Sequence, residues 1–274
     1  MLKQRLLTAI TLGPLLLWAF IALPDVYYAS LLGVIVILAA KEWTVMARLE
    51  NVFHIPFLIA FLVSVYFCWW ALQHIAEFPR LILTISCTWW VVGFIVLSKY
   101  NRGQKQILFN PIMRVLLGFI ILLPTFSALY MLRATYGAGL LVYLLFLIWF
   151  ADSGAYFAGK RWGKHKLLPN VSPGKTWQGV AGAFVASIGF SLIFGFVSDS
   201  IADNQYAIFV LLSFITVIFS IQGDLIESMF KRQVNIKDSG QLLPGHGGML
   251  DRIDSLTAAA PIFITGMLLM DAAL

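Results

Sequence analysis

Charge is scarce in this sequence. Asp, Glu, Lys and Arg make up 12% of its 274 residues, against 60% hydrophobic residues. An ordinary globular chain carries roughly one quarter charged residues, so a core wrapped in a charged, water-facing surface is excluded. Cysteine is nearly absent too. Cys68 and Cys87 both fall inside apolar runs, with no CxxC pair, which excludes a disulfide framework and a cysteine-based zinc site and leaves two buried thiols. His54, His74 and His246 have no partner at metal-ligand spacing, and heptads, internal repeats and low-complexity tracts are missing. The net charge of +6 does not imply nucleic acid as a partner. In a chain this apolar the first question is where the positive charges sit.

What is abundant is apolar sequence. With a mean hydropathy of +0.87, the chain reads as an all-α polytopic membrane protein, in which lipid replaces a core and helices satisfy the backbone. Runs of about 20 apolar residues suffice to cross a bilayer. They predict nine helices, at 6–23, 26–43, 54–73, 80–98, 113–132, 138–157, 179–198, 205–223 and 254–272. The first run is too long for a signal-peptide core and lacks a small-residue cleavage site, so it is expected to be a retained span. Lys41, Glu42 and Asp152 fall within or at the ends of the second and sixth helices.

The basic residues test this layout. With a cytoplasmic N-terminus, the inner segments hold Lys3, Arg5, Lys41, Arg48, Lys99, Arg102, Lys105, Arg114, Lys160, Arg161, Lys164, Lys166, Lys175, Lys231, Arg232, Lys237 and Arg252. The outer segments hold only Arg80 and Arg133. Such a bias fits nine spans, an internal N-terminus and an external C-terminus. Residues 1–110 carry no cluster of acids and are expected to be scaffold. Residues 111–274 are expected to form the catalytic region, with cytoplasmic loops 158–178 and 224–253.

Three constellations carry chemistry. Asp152, in Ala151-Asp152-Ser153-Gly154-Ala155-Tyr156, follows the unbroken run LLVYLLFLIWF. An ionisable group at the hydrocarbon edge is costly unless paired, hence a functional candidate. The basic segment KRWGKHKLLPNVSPGKTW, residues 160–177, contains Gly174-Lys175-Thr176. It is not a P-loop, because Pro169 stands where that pattern needs glycine and no strand is expected before it. Lys175 as a point charge and the Ser172 and Thr176 hydroxyls still suit phosphate.

The third constellation runs from Gly223 to Asp254. Asp224 and Ser228 share a helix face if the helix continues, and Asp251 and Asp254 share another. Carboxylates from two helix ends, Asp224 and Asp251, would hold a hard cation such as Mg²⁺ and leave positions for phosphate oxygens. Lys231, Arg232, Lys237 and Arg252 supply positive charge, with Asp238 and Asp254 beside them. Gly247 and Gly248 permit close backbone approach and an anion nest. His246 would either bond phosphate or pin the loop.

At this point the residues resemble a known family. Ser228-Met229-Phe230-Lys231-Arg232, Lys237-Asp238-Ser239-Gly240, Leu243-Pro244-Gly245-His246-Gly247-Gly248 and Asp251-Arg252-Ile253-Asp254 are similar to the signature of the phosphatidate cytidylyltransferases, or CDP-diacylglycerol synthases. The DSGAY and SPGKTWQG stretches resemble the same family, in the same order. The motif match covers roughly residues 151–178 and 223–254.

The resemblance implies that CTP and phosphatidate become CDP-diacylglycerol and pyrophosphate, in phospholipid biosynthesis and with Mg²⁺ as cofactor. It also suggests a homodimer; the Lys and Arg bias puts the site on the cytoplasmic face of what is expected to be a bacterial inner membrane. The lipid phosphate is already an anionic nucleophile, so the work expected of the protein is charge neutralisation and in-line positioning. The reading from another class is a transporter or cation channel, in which Asp152 and Asp224 form an intramembrane ion site. A different CDP-alcohol phosphotransferase would need its own D-G-x-x-A-R type motif, which is absent.

Overall fold

The computed structural model describes residues 13–104, 110–198, 201–242 and 247–272. Its helices are α1 (Gly13–Ala22), α2 (Asp25–Met46), α3 (Asn51–His74), α4 (Phe78–Asn101), α5 (Pro111–Trp162), α6 (Trp177–Val197), α7 (Tyr206–Gln233) and α8 (Leu250–Ala272). Two short strands, β1 (Lys166–Leu168) and β2 (Ser172–Thr176), form an antiparallel hairpin between α5 and α6. Among the described residues seven helices are long and apolar enough to cross a membrane, and α1 is a shorter apolar helix. Residues 6–12 of the expected first span lie outside the described residues.

Helix α5 is two spans joined end to end. Its 52 residues would extend about 78 Å at 1.5 Å per residue, far beyond the ~30 Å of a hydrocarbon core. The break is at Gly137, where φ is 81° and ψ 173°, a conformation open essentially to glycine alone. Contacts with α8 show that the chain doubles back there. Thr125 Oγ1 donates to the Thr257 carbonyl at 3.4 Å and Tyr136 Oη to Asp271 at 2.5 Å, so the arm 111–136 runs parallel to α8. Tyr143 then packs tilted against Phe263, with centroids 5.8 Å apart, so the arm 138–162 returns. The expected helices 113–132 and 138–157 are these two arms, each longer than its apolar run.

Local sequence sets the helix ends. Asn110 Oδ1 accepts from the Ile112 N–H at 2.9 Å, with Pro111 at the first helical position, where a missing N–H costs nothing. Thr176 Oγ1 accepts from the Gly179 N–H at 3.1 Å and caps α6, satisfying an otherwise orphaned donor. Helix α7 does not stop at the apolar boundary near 223 but continues to Gln233, which carries Asp224, Ser228 and Lys231 on one element.

Small residues let α6 approach the second arm of α5. A methyl on Gly154 would meet the Gly182 carbonyl and lie 2.7 Å from Ala186 Cβ, and one on Gly182 would meet Ala158. This is the small-residue packing that joins helices in lipid, where apolar burial gives no net drive. Arg114, at the inner end of the expected helix 113–132, is fully buried in α5. It donates to the Met46 carbonyl at 2.8 Å and to Gln233 Oε1 at 2.6 Å, while Trp43 Nε1 donates to the Arg114 carbonyl at 2.8 Å. The end of α2 is thereby tied to α5 and α7.

Candidate active site

The segment expected as a loop at 158–178 is partly regular. Helix α5 runs on to Trp162, and β1 pairs Lys166 with Thr176 and Leu168 with Ser172. A strand therefore does precede Gly174-Lys175-Thr176, but these residues sit in the second strand of a hairpin rather than in a phosphate-wrapping loop. Gln178 steadies the hairpin, its Oε1 accepting from the Lys164 and His165 N–H groups at 3.1 and 3.2 Å. Asn170 grips the end of α4, donating from its side chain to the Asn101 carbonyl at 2.7 Å.

This hairpin delivers Lys175 to the helix ends. A cavity of 420 Å³ between α5, β2, α6 and α7 is lined by Asp152, Lys160, Lys175, Thr176 and Asp224 among others. Inside it Lys175 Nζ lies 2.6 Å from Asp224 Oδ2. Ser228 Oγ, one turn along α7, donates to Asp224 Oδ1 at 3.2 Å, as their spacing predicts. Asp152 and Asp254 both lie within electrostatic reach of Asp224. Asp152, Lys175 and Asp224, from three separate stretches, are therefore brought together.

A second pairing stands further along α7. Lys231 Nζ is held between Glu227 Oε2 at 2.5 Å and Asp251 Oδ1 at 2.7 Å, with all three side chains largely buried. Asp251 Oδ2 accepts the Ser239 N–H at 2.9 Å and the Gly248 N–H at 2.8 Å. Of the glycine turn expected to form an anion nest, the Gly248 N–H is thus engaged by the protein's own Asp251. Gly247 has φ of 83°, and a Cβ there would lie 2.6 Å from Asp251 Oδ2, so glycine is required twice over.

The remaining candidates are placed differently. Thr176 has its hydroxyl engaged as the α6 cap. Ser172 pairs with Leu168 within the hairpin. Arg232, Lys237, Asp238 and Arg252 are exposed between the end of α7 and the start of α8, with Asp238 Cβ 3.6 Å from the position a Gly247 methyl would take. His246 lies outside the described residues.

Two acidic residues escaped the sequence reading. Glu227 stands four residues from Lys231, the ion-pair spacing of a helix, and that spacing is its signal in the sequence. Glu42 belongs to the half expected to be scaffold. It is buried, accepting Ser239 Oγ at 2.7 Å and the Met249 and Leu250 N–H groups at 2.8 Å each. Its signal was the one used for Asp152, an ionisable residue in an apolar span.

Among the described residues no three His, Cys, Asp or Glu side chains stand in a metal-ligand arrangement. The donors at hand are hard carboxylate and hydroxyl oxygens, and Asp224 and Asp251 each already hold a cationic ammonium. That chemistry fits magnesium, which takes one or two carboxylates and completes its shell with water and substrate phosphates.

Comparison with known proteins identifies the family. The phosphatidate cytidylyltransferase of Haemophilus influenzae is 40% identical over 280 residues, covering 96% of this chain and 97% of the relative. That of Pseudomonas aeruginosa is 40% identical over 270 residues, covering 96% of each. The Bacillus subtilis protein of the same name is 44% identical over 126 residues, 46% of each chain. The family model described as "Cytidylyltransferase family" matches residues 3–270, and the chain belongs to that family.

Proposed function

We propose that this membrane protein transfers the cytidylyl group of CTP to phosphatidate, giving CDP-diacylglycerol and pyrophosphate. The observation that carries this reading is a pair of lysine–aspartate contacts, Lys175–Asp224 and Lys231–Asp251, with Asp254 in electrostatic reach of Asp224, Lys175 and Lys231. The names of the full-length relatives supply the substrates. An oxygen of the lipid phosphate attacks the α-phosphorus of CTP. A new phosphoanhydride bond forms there, the bond to the β-phosphate breaks, and pyrophosphate departs with the electron pair. No proton need be removed from the nucleophile, so the protein's task is to hold two polyanions in line and balance their charge.

Lys175 and Lys231 provide that charge, and their carboxylate partners hold both ammonium groups in place before substrate arrives. Arg232, Lys237 and Arg252, exposed between the end of α7 and the start of α8, attract the triphosphate from solution. Asp152 and Asp254, near Asp224, orient Lys175 and restrict where an anion can settle. Magnesium would be held by Asp224 and Asp251 and would neutralise the charge developing on the pyrophosphate. The excess of Lys and Arg at this end supports a cytoplasmic site in a bacterial inner membrane, where the lipid arrives sideways and the nucleotide from solution. The proposed assembly is a homodimer, on the family resemblance; its mass in detergent tests that part. The transporter or channel alternative has no observation in its favour.

The test is product formation by the purified protein in detergent, with phosphatidate and CTP, with and without Mg²⁺. CDP-diacylglycerol should form only when all three are present. Failure to form it with all three overturns the reaction, and formation in a chelator overturns the metal.

A further inference from the structure

We infer that Glu42, on α2 in the scaffold half, is a positioning residue that staples the loop between α7 and α8 so that Asp251 and Lys231 stay aligned. The inference rests on the reaction proposed above. Glu42 is buried at the end of a largely apolar span, where a carboxylate is costly unless fully bonded. Its partners are neutral donors, the Ser239 hydroxyl and the N–H groups of Met249 and Leu250. The last two are among the first N–H groups of α8, left without intrahelical acceptors. Glu42 therefore does from a distant helix what an N-cap side chain does locally, and its charge suits the positive end of the α8 dipole.

Ser239 passes this grip to the site. Its hydroxyl donates to Glu42 at 2.7 Å, its N–H donates to Asp251 Oδ2 at 2.9 Å, and the Asp251 N–H donates back to its hydroxyl at 3.3 Å. Asp251 in turn holds Lys231 at 2.7 Å. The chain of contacts from Glu42 to Lys231 crosses three helices and is unbroken. Two glycines of the signature also answer to Glu42. A methyl on Gly240 would come within 2.5 Å of Glu42 Oε1, and one on Gly248 would collide with Glu42 Oε2.

The same end of α2 holds the other end of the loop. Arg48 donates to the carbonyl of Gln233, the last residue of α7, and the Met46 carbonyl anchors Arg114, which donates to the Gln233 side chain. The last residue of α7 and the first residues of α8 are thus both fixed to the stretch Glu42–Arg48 at the end of α2. Simple packing would not aim a buried carboxylate at three donors on the segment that carries the site.

The experiment uses the full chain in detergent. Glu42→Gln keeps the volume and leaves one side-chain oxygen to serve three donors. Turnover at saturating CTP and phosphatidate should fall about 10- to 100-fold, with both KM values changing far less. Amide hydrogen exchange should quicken at Ser239, Gly248, Met249 and Leu250, while the middles of α7 and α8 keep their protection. Turnover equal to the parent's, or a loss accompanied by lowered protection throughout the bundle, overturns the inference. If Glu42→Gln does not insert, Ser239→Ala decides: the same localised loss supports the staple, and parent-like kcat overturns it. A parent protein that makes no CDP-diacylglycerol overturns the reaction instead, so the two failures are separable.

Discussion

Lys175 and Asp224 meet at 2.6 Å across the gap between a β-hairpin and the inner part of α7. Each side chain keeps about a quarter to a third of its surface, 27% and 31%. At that exposure an ion pair contributes at most about 1 kcal/mol to stability. Its value is therefore in turnover. Lys175→Met and Asp224→Asn should each leave the melting temperature nearly unchanged while lowering kcat about 100-fold or more, the scale of losing one preorganised electrostatic group. Parallel thermal denaturation and CTP turnover measurements check both halves.

Lys231 is the opposite case. It is held between Glu227 and Asp251, with side-chain exposures of 12%, 5% and 9%. Lys231→Ala leaves two buried carboxylates facing each other and should destabilise the protein by about 3–5 kcal/mol. Adding Glu227→Gln removes part of the uncompensated charge, so the double variant should regain stability without regaining activity. The melting temperatures of the parent, the two single variants and the double variant give the coupling.

The DSGAY stretch serves packing as well as charge, because Gly154 faces Gly182 and Ala186 of α6. Gly182→Leu should push α6 from α5, displace Lys175 from Asp224 through the hairpin that α6 anchors, and reduce both expression and kcat. Gly189→Ala is the control, since nothing lies within 4 Å of a methyl there, and it should behave as the parent. Activity assays on the two variants, normalised to inserted protein, separate the outcomes.

Gly137 turns the chain between the two arms of α5 with φ of 81° and ψ of 173°. No atom lies within 4 Å of a methyl added there, so Gly137→Ala isolates backbone strain from crowding. A cost of about 1–3 kcal/mol is expected, with kcat unchanged because the turn lies at the far end of the bundle from Lys175. A denaturation curve and one turnover assay suffice.

Much of this was legible beforehand because membrane spans are coarse signals. The apolar runs and the lopsided Lys and Arg distribution located the helices, and the spacing of Asp224 and Ser228 placed both on one face. Helix ends were less legible, since α7 continues through Asp224, Glu227 and Lys231 after its apolar run stops; ion pairs and tertiary contacts, not hydropathy, stabilise that extension. The hairpin was missed because Pro169 and Pro173 mark turns more strongly than three- and five-residue strands announce themselves. The sequence marks Glu42 as an ionisable residue in an apolar span, but its partners lie about two hundred residues further along the chain, so no local pattern names them.

The central claim is that Lys175, Asp224, Lys231 and Asp251 together serve transfer of the α-phosphorus of CTP to a lipid phosphate. Its most direct measurement supplies the purified protein with phosphatidate and CTP labelled at either the α- or the γ-phosphorus. The account predicts α-label in the lipid fraction, γ-label in pyrophosphate, and loss of both in Asp224→Asn. Lipid that remains unlabelled with the parent protein, or an Asp224→Asn variant that labels lipid at the parent rate, would contradict it.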